Sequence, residues 1–382
     1  MSLRYLSLFS GIEAAHLAVA PLGWQTVAVA EIDPAACAVL GHRLPDVPNL
    51  GDVRAVTGAQ IAALGPIDVV IGGSPCQDLS VAGRRAGLAG ARSHLFYDLL
   101  RIFHAARKHC GARWLLWENV PGVFSSRAGA DFADVVGALA GSRCAVPDTG
   151  WGSEGVALGP HGLLEWSLLD AQWFGLAQRR RRVFAVLDTG DWSGRFPVLL
   201  EPARLRGDPA PRQGAQPPLA VARDSASADD NRPCAGVMAF GCKDSNPAGS
   251  IAWNLAPTLR AMMHRHSTAN GGGQIAIADC RATELGVDLA YCLCSSTGSG
   301  NLAYVLNARQ VRRLTPTEYE RLQGIVDGWT QVPNPQGRPM ADGPRYRLLG
   351  NSFAVPVVRW IARRLQQAHR ISAQAAPDAS SI

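Results

Sequence analysis

The chain has 382 residues, 47% of them hydrophobic and 18% charged, which is enough for two domains and a sizeable core. No run of about 18 uncharged apolar residues occurs, and Met1-Ser2-Leu3-Arg4 leads straight into strand-like sequence. Neither a membrane span nor a secretory leader is therefore expected, and the protein reads as cytoplasmic. The formal charge is +6, and of 37 basic side chains only Lys108 and Lys243 are lysines; arginine forks suit phosphates and guanine edges, so the excess favours a polyanionic partner.

The first half alternates strands and helices. Tyr5–Phe9 reads as a buried strand, Ile12–Ala20 as a helix ended by Pro21 and Gly23, Thr26–Ala30 as a strand and Pro34–Leu40 as a helix. A third short strand is expected before Gly51-Asp52-Val53, and Ile67–Ile71 is a further strand. Leu95–Ala106 is an amphipathic helix with Leu95, Leu99, Ile102 and Phe103 on one face, followed by strands Trp114–Trp117 and Val183–Leu187. This alternation implies a doubly wound parallel sheet. Residues 197–233, rich in Pro, Ala, Arg and Asp, read as a linker, and 237–304 as a small, loop-rich β region. Helices return at Thr315–Leu322 and Val355–Gln367, and the tail from Ser372 is expected to fray.

Ligands of α/β sheets sit outside the carboxyl ends of the strands, so the strand tips carry the functional reading. Phe9-Ser10-Gly11 ends the first strand with one glycine, not the G-x-G-x-x-G of a dinucleotide site. Glu31 ends the second strand, placed for ribose hydroxyls, and Asp52 follows the third, placed for an adenine amino group. Three such tips suggest an adenosine ligand without a pyrophosphate, of which S-adenosyl-L-methionine is the common example. The fourth tip, Gly73-Ser74-Pro75-Cys76-Gln77, presents a thiol that is either a nucleophile or a filler. Glu118 ends the next strand, and Gln178-Arg179-Arg180-Arg181-Arg182 enters the last, with Arg180 and Arg182 on one face of an extended chain. The nine cysteines show no paired spacing, which fits free thiols. No C-x-x-C pair anchors Cys234, Cys242, His264, His266, Cys280, Cys292 or Cys294, so no metal site is expected.

Taken in order, Leu8-Phe9-Ser10-Gly11, Glu31-Ile32-Asp33, Gly51-Asp52-Val53, Pro75-Cys76-Gln77, Glu118-Asn119-Val120, Gln178–Arg182, Arg313-Leu314-Thr315-Pro316, Glu320-Arg321-Leu322-Gln323-Gly324 and Gly350-Asn351-Ser352 resemble the DNA cytosine-5 methyltransferases of bacteria and phages. The resemblance implies a Rossmann-like, doubly wound S-adenosylmethionine-dependent methyltransferase sheet with a smaller, loop-rich β target-recognition domain. The catalytic domain would be discontinuous, residues 1–190 plus 345–371, with the small domain at 191–344 and a flexible tail at 372–382. Cys76 would attack carbon 6 of a flipped cytosine, Glu118 would hold nitrogen 3 and the amino group, and Arg182 with Arg180 would hold the base oxygen. Phe9, Gly11, Glu31, Ile32, Asp52, Val53, Pro75, Leu95, Asn351 and Ser352 would form the S-adenosylmethionine pocket. Residues 78–94, with Ser80, Arg84, Arg85 and Arg92, resemble a loop that closes over DNA, and Lys243 and Thr258 are candidate contacts of the variable region. Gly324-Ile325-Val326-Asp327 departs from the family by lacking an aromatic-proline pair after the glycine, for which a packing change is expected. The implied partner is double-stranded DNA, read by a monomer. A cognate restriction endonuclease is a partner that the reaction does not physically require. The rival readings are a transfer-RNA cytosine-5 methyltransferase with the same catalytic residues and a non-catalytic DNA-binding relative. An amino-group methyltransferase is disfavoured, because Ser74-Pro75-Cys76-Gln77 lacks the second proline and the aromatic of that motif.

Overall fold

The computed structural model describes residues 2–74, 94–192, 194–200, 237–241, 252–253, 275–279 and 311–375. The chain forms two compact units, Met1–Asp170 with Arg181–Ala210 and Val355–Ile382, and Ala171–Arg180 with Pro211–Ala354.

The first unit is built on seven strands: β1 (Arg4–Leu8), β2 (Gln25–Ala30), β3 (Val69–Gly72), β4 (Trp114–Asn119), β5 (Glu154–Gly159), β6 (Gly162–Asp170) and β7 (Arg181–Asp188), in the order β2-β1-β3-β4-β7-β6-β5. Neighbours from β2 to β4 are parallel, as the alternating sequence predicts. Their apolar runs are covered on both sides: Tyr5, Leu6, Val69, Val70, Trp114 and Leu115 are all fully buried. Beyond β4 the sheet turns antiparallel. The strands β5 and β6 are absent from the sequence expectations. They form a hairpin around Pro160-His161, closed by the pair Gly159 and Gly162. The short strand expected before Asp52 is reduced to one parallel bridge between Val29 and Asn49.

Helix α3 (His94–Cys110) places Phe96, Leu99, Leu100, Phe103 and Ala106 on the core, the 3.6-residue spacing of an amphipathic helix. Each large apolar side chain buried there contributes about 1.5–3 kcal/mol. Its approach to β3 depends on Gly72, where an added Cβ would lie 2.6 Å from Leu99 Cδ1. Helix α2 (Pro34–Arg43) begins at Asp33, whose carboxylate accepts the amides of Ala35 and Ala36. At the opposite end of the sheet, Arg113 and Arg195 both bind the fully buried Asp188, at 2.6 and 2.8 Å, and Arg195 also binds Glu165 at 2.7 Å.

The helix Val355–Ala375 packs on α1 (Ala14–Val19), burying Val357, Val358, Ile361 and Leu365, and its Arg359 donates to the carbonyls of Leu17 and Ala18. It runs past the expected fraying point: Arg113 reaches Ser372 at 3.1 Å, and helix persists to Ala375. No described helix is long and apolar enough to cross a membrane.

In the second unit, β8 (Val237–Gly241), β9 (Ala252–Trp253), β10 (Ile275–Asp279) and β11 (Val311–Arg313) form an antiparallel sheet in the order β11-β10-β8-β9. The helix Pro316–Gln323 starts on a capping box between Thr315 and Glu318. Buried polar side chains tie this unit together. Glu320 accepts from the backbone amides of Gly328 and Thr330, Gln323 donates to the Leu349 carbonyl, and Gln178 donates to the Leu322 carbonyl. At the departure from the family pattern, Gly324 caps the helix at φ 71° and Ile325 is buried directly after it.

Candidate active site

Three strand tips meet at the ends of β1 and β2. After β1 the chain alternates in and out of the left-handed region, with Phe9 at φ 54°, Gly11 at φ 55° and Glu13 at φ 56°. Nothing lies within 4 Å of a Cβ placed on Gly11, so the backbone there faces open space. Its amide donates to Glu31 Oε2 at 2.7 Å, while Glu31 Oε1 accepts the amides of Ile32 and Asp33, both at 2.8 Å. A carboxylate offers about four lone-pair positions, so three amides leave room for one hydroxyl. Asn49 adds the third tip: its side chain pairs with both the amide and the carbonyl of Glu31, at 3.0 and 3.1 Å, and accepts from the Gly51 amide at 3.0 Å. Ile32 projects from this platform with 63% of its surface exposed. The open glycine, the part-filled carboxylate and the exposed apolar side chain fit an adenosine group. Asp52 lies beside them but is engaged by Arg54, whose Nη2 is 2.5 Å from Oδ2; the hydrogen bonds from Arg54 hold its pKa below the ordinary carboxylate value.

The second cluster lies where β3 and β4 end and β7 begins. Glu118 of β4 and Arg182 of β7 form an ion pair, Nε to Oε1, at 3.2 Å, and each side chain keeps 15% of its surface exposed. The antiparallel register sets Glu118 opposite Phe184, two residues from Arg182 on β7. Ser74, which follows β3 and precedes Pro75-Cys76, is anchored from β4: Trp117 Nε1 donates to its Oγ at 3.1 Å and Asn119 Nδ2 approaches its carbonyl at 3.4 Å. Trp117, Asn119 and Ser74 are all buried. The chain leading into the thiol is thus fixed to the strand that carries the carboxylate.

Other expected site residues have other surroundings. Val53 is buried in the core and its carbonyl accepts from Arg101 at 2.7 Å; Leu95 is partly buried against the same core. Arg180 is 3% exposed, and its Nη2 donates to the carbonyls of Gly350 and Ser352 at 3.2 and 2.7 Å, so the two arginines of the expected pair bind different groups. Asn351 is exposed at the end of the helix Asp342–Asn351, and Ser352 is buried directly after it. Pro75, Cys76, Ser80, Arg84, Arg85, Arg92, Lys243 and Thr258 lie outside the described residues. Among the described residues no group of three potential metal ligands occurs. Asn49, Trp117 and Asn119 are hydrogen-bonded to the candidate site, and the sequence expectations omit them. Asn119 carries a signal, since it sits inside the Glu118-Asn119-Val120 motif; Asn49 carries none beyond standing before Leu50-Gly51.

The chain matches the family described as C-5 cytosine-specific DNA methylases over residues 3–192 and 257–367, well over half its length. It is 31% identical to a DNA N-6-adenine-methyltransferase of Escherichia phage P1 over 463 aligned positions that take in 96% of the chain, although the chain spans only 61% of that phage protein. It is 26% identical to the type II methyltransferase M2.BsuMI of Bacillus subtilis, covering 96% of the chain and 76% of the relative. Its fold is similar to that of the Entamoeba histolytica methyltransferase EhMeth, at a TM-score of 0.59 and 13% identity over 96% of this chain and 98% of that one. On the span of the family match, the chain belongs to the C-5 cytosine-specific DNA methylases.

Proposed function

We propose that the protein transfers a methyl group from S-adenosyl-L-methionine to carbon 5 of a specific cytosine in double-stranded DNA, with Cys76 as covalent nucleophile. The observation that carries this reading is the Glu118–Arg182 pair at 3.2 Å beside the anchored Ser74 that leads into Cys76. Carbon 5 of cytosine is a weak nucleophile, and covalent addition at carbon 6 turns the ring into an enamine that can accept a methyl group. The Cys76 thiolate forms the bond to carbon 6, and cationic neighbours favour that thiolate. Glu118 holds nitrogen 3 and the exocyclic amino group, offsetting the charge that builds as the adduct forms. Arg182 sets the orientation of Glu118 and offers its remaining N–H groups to the base oxygen. Arg180, bound to Gly350 and Ser352, acts by fixing the chain around Asn351. When bound, S-adenosyl-L-methionine supplies an electrophilic methyl on a sulfonium, and Phe9, Gly11, Glu31 and Ile32 would hold its adenosine. Loss of the carbon 5 proton and departure of Cys76 restore the aromatic ring. The target atom is stacked inside a duplex, so the base must be turned out to reach the thiol. The region 191–344 is the part proposed to read the DNA sequence.

Cys76→Ala is expected to abolish methyl transfer while binding of S-adenosyl-L-methionine persists, measured by labelled methyl incorporation and by calorimetry. Turnover by this variant at the wild-type rate refutes covalent catalysis. Wild-type protein is also expected to form a stable adduct with duplex DNA carrying 5-fluorocytosine, since the fluorine blocks the elimination step. The adenine named for the phage P1 protein supplies a second reading, methylation of an adenine amino group. Hydrolysis of the labelled duplex separates the two, because 5-methylcytosine and N6-methyladenine are distinct products.

A further inference from the structure

Two residues beyond Gly11, the chain holds a carboxyl group for which the reaction above has no use. Glu13 is fully buried and adopts φ 56°, a left-handed conformation that is strained for a residue with a Cβ. Its side chain turns back onto the strand it follows. Tyr5 of β1 donates its hydroxyl to Oε1 at 2.9 Å, and Ser7 of β1 donates to Oε2 at 2.6 Å. The Tyr5 oxygen in turn accepts from Thr26 of β2 at 2.8 Å, and Thr26 meets His16 Nδ1 of α1 at 3.0 Å. With the His16 proton on Nδ1, every donor in this chain points toward Glu13, an arrangement that favours an ionised carboxylate at its end. A strained backbone persists only where its surroundings over-determine it, and here β1, β2 and α1 all converge on one side chain.

We propose that Glu13 is the positioning residue of the methyl-donor turn: its carboxylate, held by the Tyr5 and Ser7 hydroxyls, fixes the left-handed conformation through which Phe9 and Gly11 are presented to the donor. This rests on the reading of Phe9, Gly11 and Glu31 as the donor pocket. Glu13 contributes no contact to the donor itself. It sets the direction of the Gly11 amide, which Glu31 then receives. The titratable groups around it are Tyr5 from β1, His16 from α1 and Glu31 at the end of β2; Arg359, on the helix packed against α1, is bound to the carbonyls of Leu17 and Ala18. Burial raises the Glu13 pKa from 4.5 to about 7, against the lowering effect of the Ser7 and Tyr5 hydroxyls and the His16 amide. Burial lowers that of His16, which keeps its ring neutral. A folded pKa above the unfolded one means that stability is fully present below pH 4.5 and is lost as pH rises toward about 7. The ionised form, which costs stability, is also the form that orders the turn, and a cationic donor adds to that preference. Donor affinity therefore rises as pH increases toward the folded pKa of about 7. If donor binding lowers this pKa by about one unit, affinity is about tenfold greater above the transition than below it.

The test is calorimetry of S-adenosyl-L-methionine with the full-length protein from pH 6 to pH 8, for wild type, Glu13→Gln and Glu13→Gly, with thermal melts as the control for folding. Glu13→Gly relieves the backbone strain but removes the anchor, and is expected to lose about tenfold in donor affinity while its turnover at saturating donor stays near wild type. Glu13→Gln keeps the shape of the side chain without the charge. It is expected to bind the donor at every pH with about the reduced affinity that wild type shows below the transition, to abolish the pH dependence of binding and to flatten the decline of melting temperature with pH. Wild-type affinity and pH profile in Glu13→Gly overturn the proposal, as does an identical pH profile in wild type and Glu13→Gln. Should Glu13→Gly fail to fold, the double variant Tyr5→Phe with Ser7→Ala removes the same anchor and is judged by the same affinity. A wild-type protein that binds no S-adenosyl-L-methionine overturns the donor-pocket reading itself, an outcome distinct from equal binding by wild type and variant.

Discussion

The two ends of the site are made of different material. Around β1 and β2 the structure is organised by backbone amides converging on a few carboxylates and amides: Glu31 accepts three N–H groups and Asn49 ties two tips together. Around β4 and β7 the feature is a pair of charged side chains held to each other, Glu118 and Arg182, with part of each left exposed. An amide-lined surface recognises a fixed shape and changes little during a reaction. A charged pair can redistribute its hydrogen bonds as charge moves on a substrate, which is what stabilising a transition state requires. Substitutions at the first end should therefore act on donor affinity, and those at the second on turnover.

The largest expected effect is at the second end. Glu118→Gln keeps the shape but removes the charge, and should lower kcat by about 10²–10⁴-fold, the range for a positioned acid–base group. Its KM for S-adenosyl-L-methionine should stay within twofold or so of wild type. A large rise in donor KM would show that the two ends are not separable in this way. A smaller effect of the opposite kind is expected at Glu31→Ala, which releases three amides and the proposed ribose contact. Donor binding should weaken by about 10–100-fold, the equivalent of one or two charge-assisted hydrogen bonds, while kcat at saturating donor falls far less.

The same contrast explains what could be read from the sequence. The parallel strands were legible because apolar runs such as Val69-Val70-Ile71 are bounded by turn residues and buried on both faces. The motif acids Glu31 and Glu118 were legible because a charge directly after such a run has few structural uses. The edge of the sheet was not. Gly162-Leu163-Leu164-Glu165-Trp166-Ser167-Leu168-Leu169-Asp170 mixes strand and helix formers, and only pairing with β7 and β5 decides in favour of a strand. Helix α4 (Ala130–Ala140) did carry a signal, since Phe132, Val135, Val136 and Leu139 follow helical spacing and all are buried, yet it is missing from the sequence expectations. The helix Asp342–Asn351 begins after Ala341 with no side-chain cap and contains two glycines, so its sequence signal is weak. Glu13 was hidden for another reason. A charged residue at the start of a helix reads as exposed, and nothing local shows that Tyr5 and Ser7, alternate residues of β1, offer their hydroxyls to it.

The smallest predicted effect tests whether the third tip belongs to the donor end at all. From the sequence Asp52 is expected to accept from an adenine amino group, yet its carboxylate is bound by Arg54, on both oxygens. That pair is exposed, with 66% of the Arg54 side chain open to solvent, so it should add little to stability. Arg54→Ala should leave the melting temperature unchanged. It should also release Asp52 for the adenine, so donor affinity should stay the same or rise by no more than about threefold, the scale of one exposed hydrogen bond. The opposite result is equally informative. If Arg54→Ala weakens donor binding while Asp52→Asn leaves it unchanged, then the arginine and not the aspartate faces the nucleoside, and the donor end would present a cation as well as the Glu31 carboxylate.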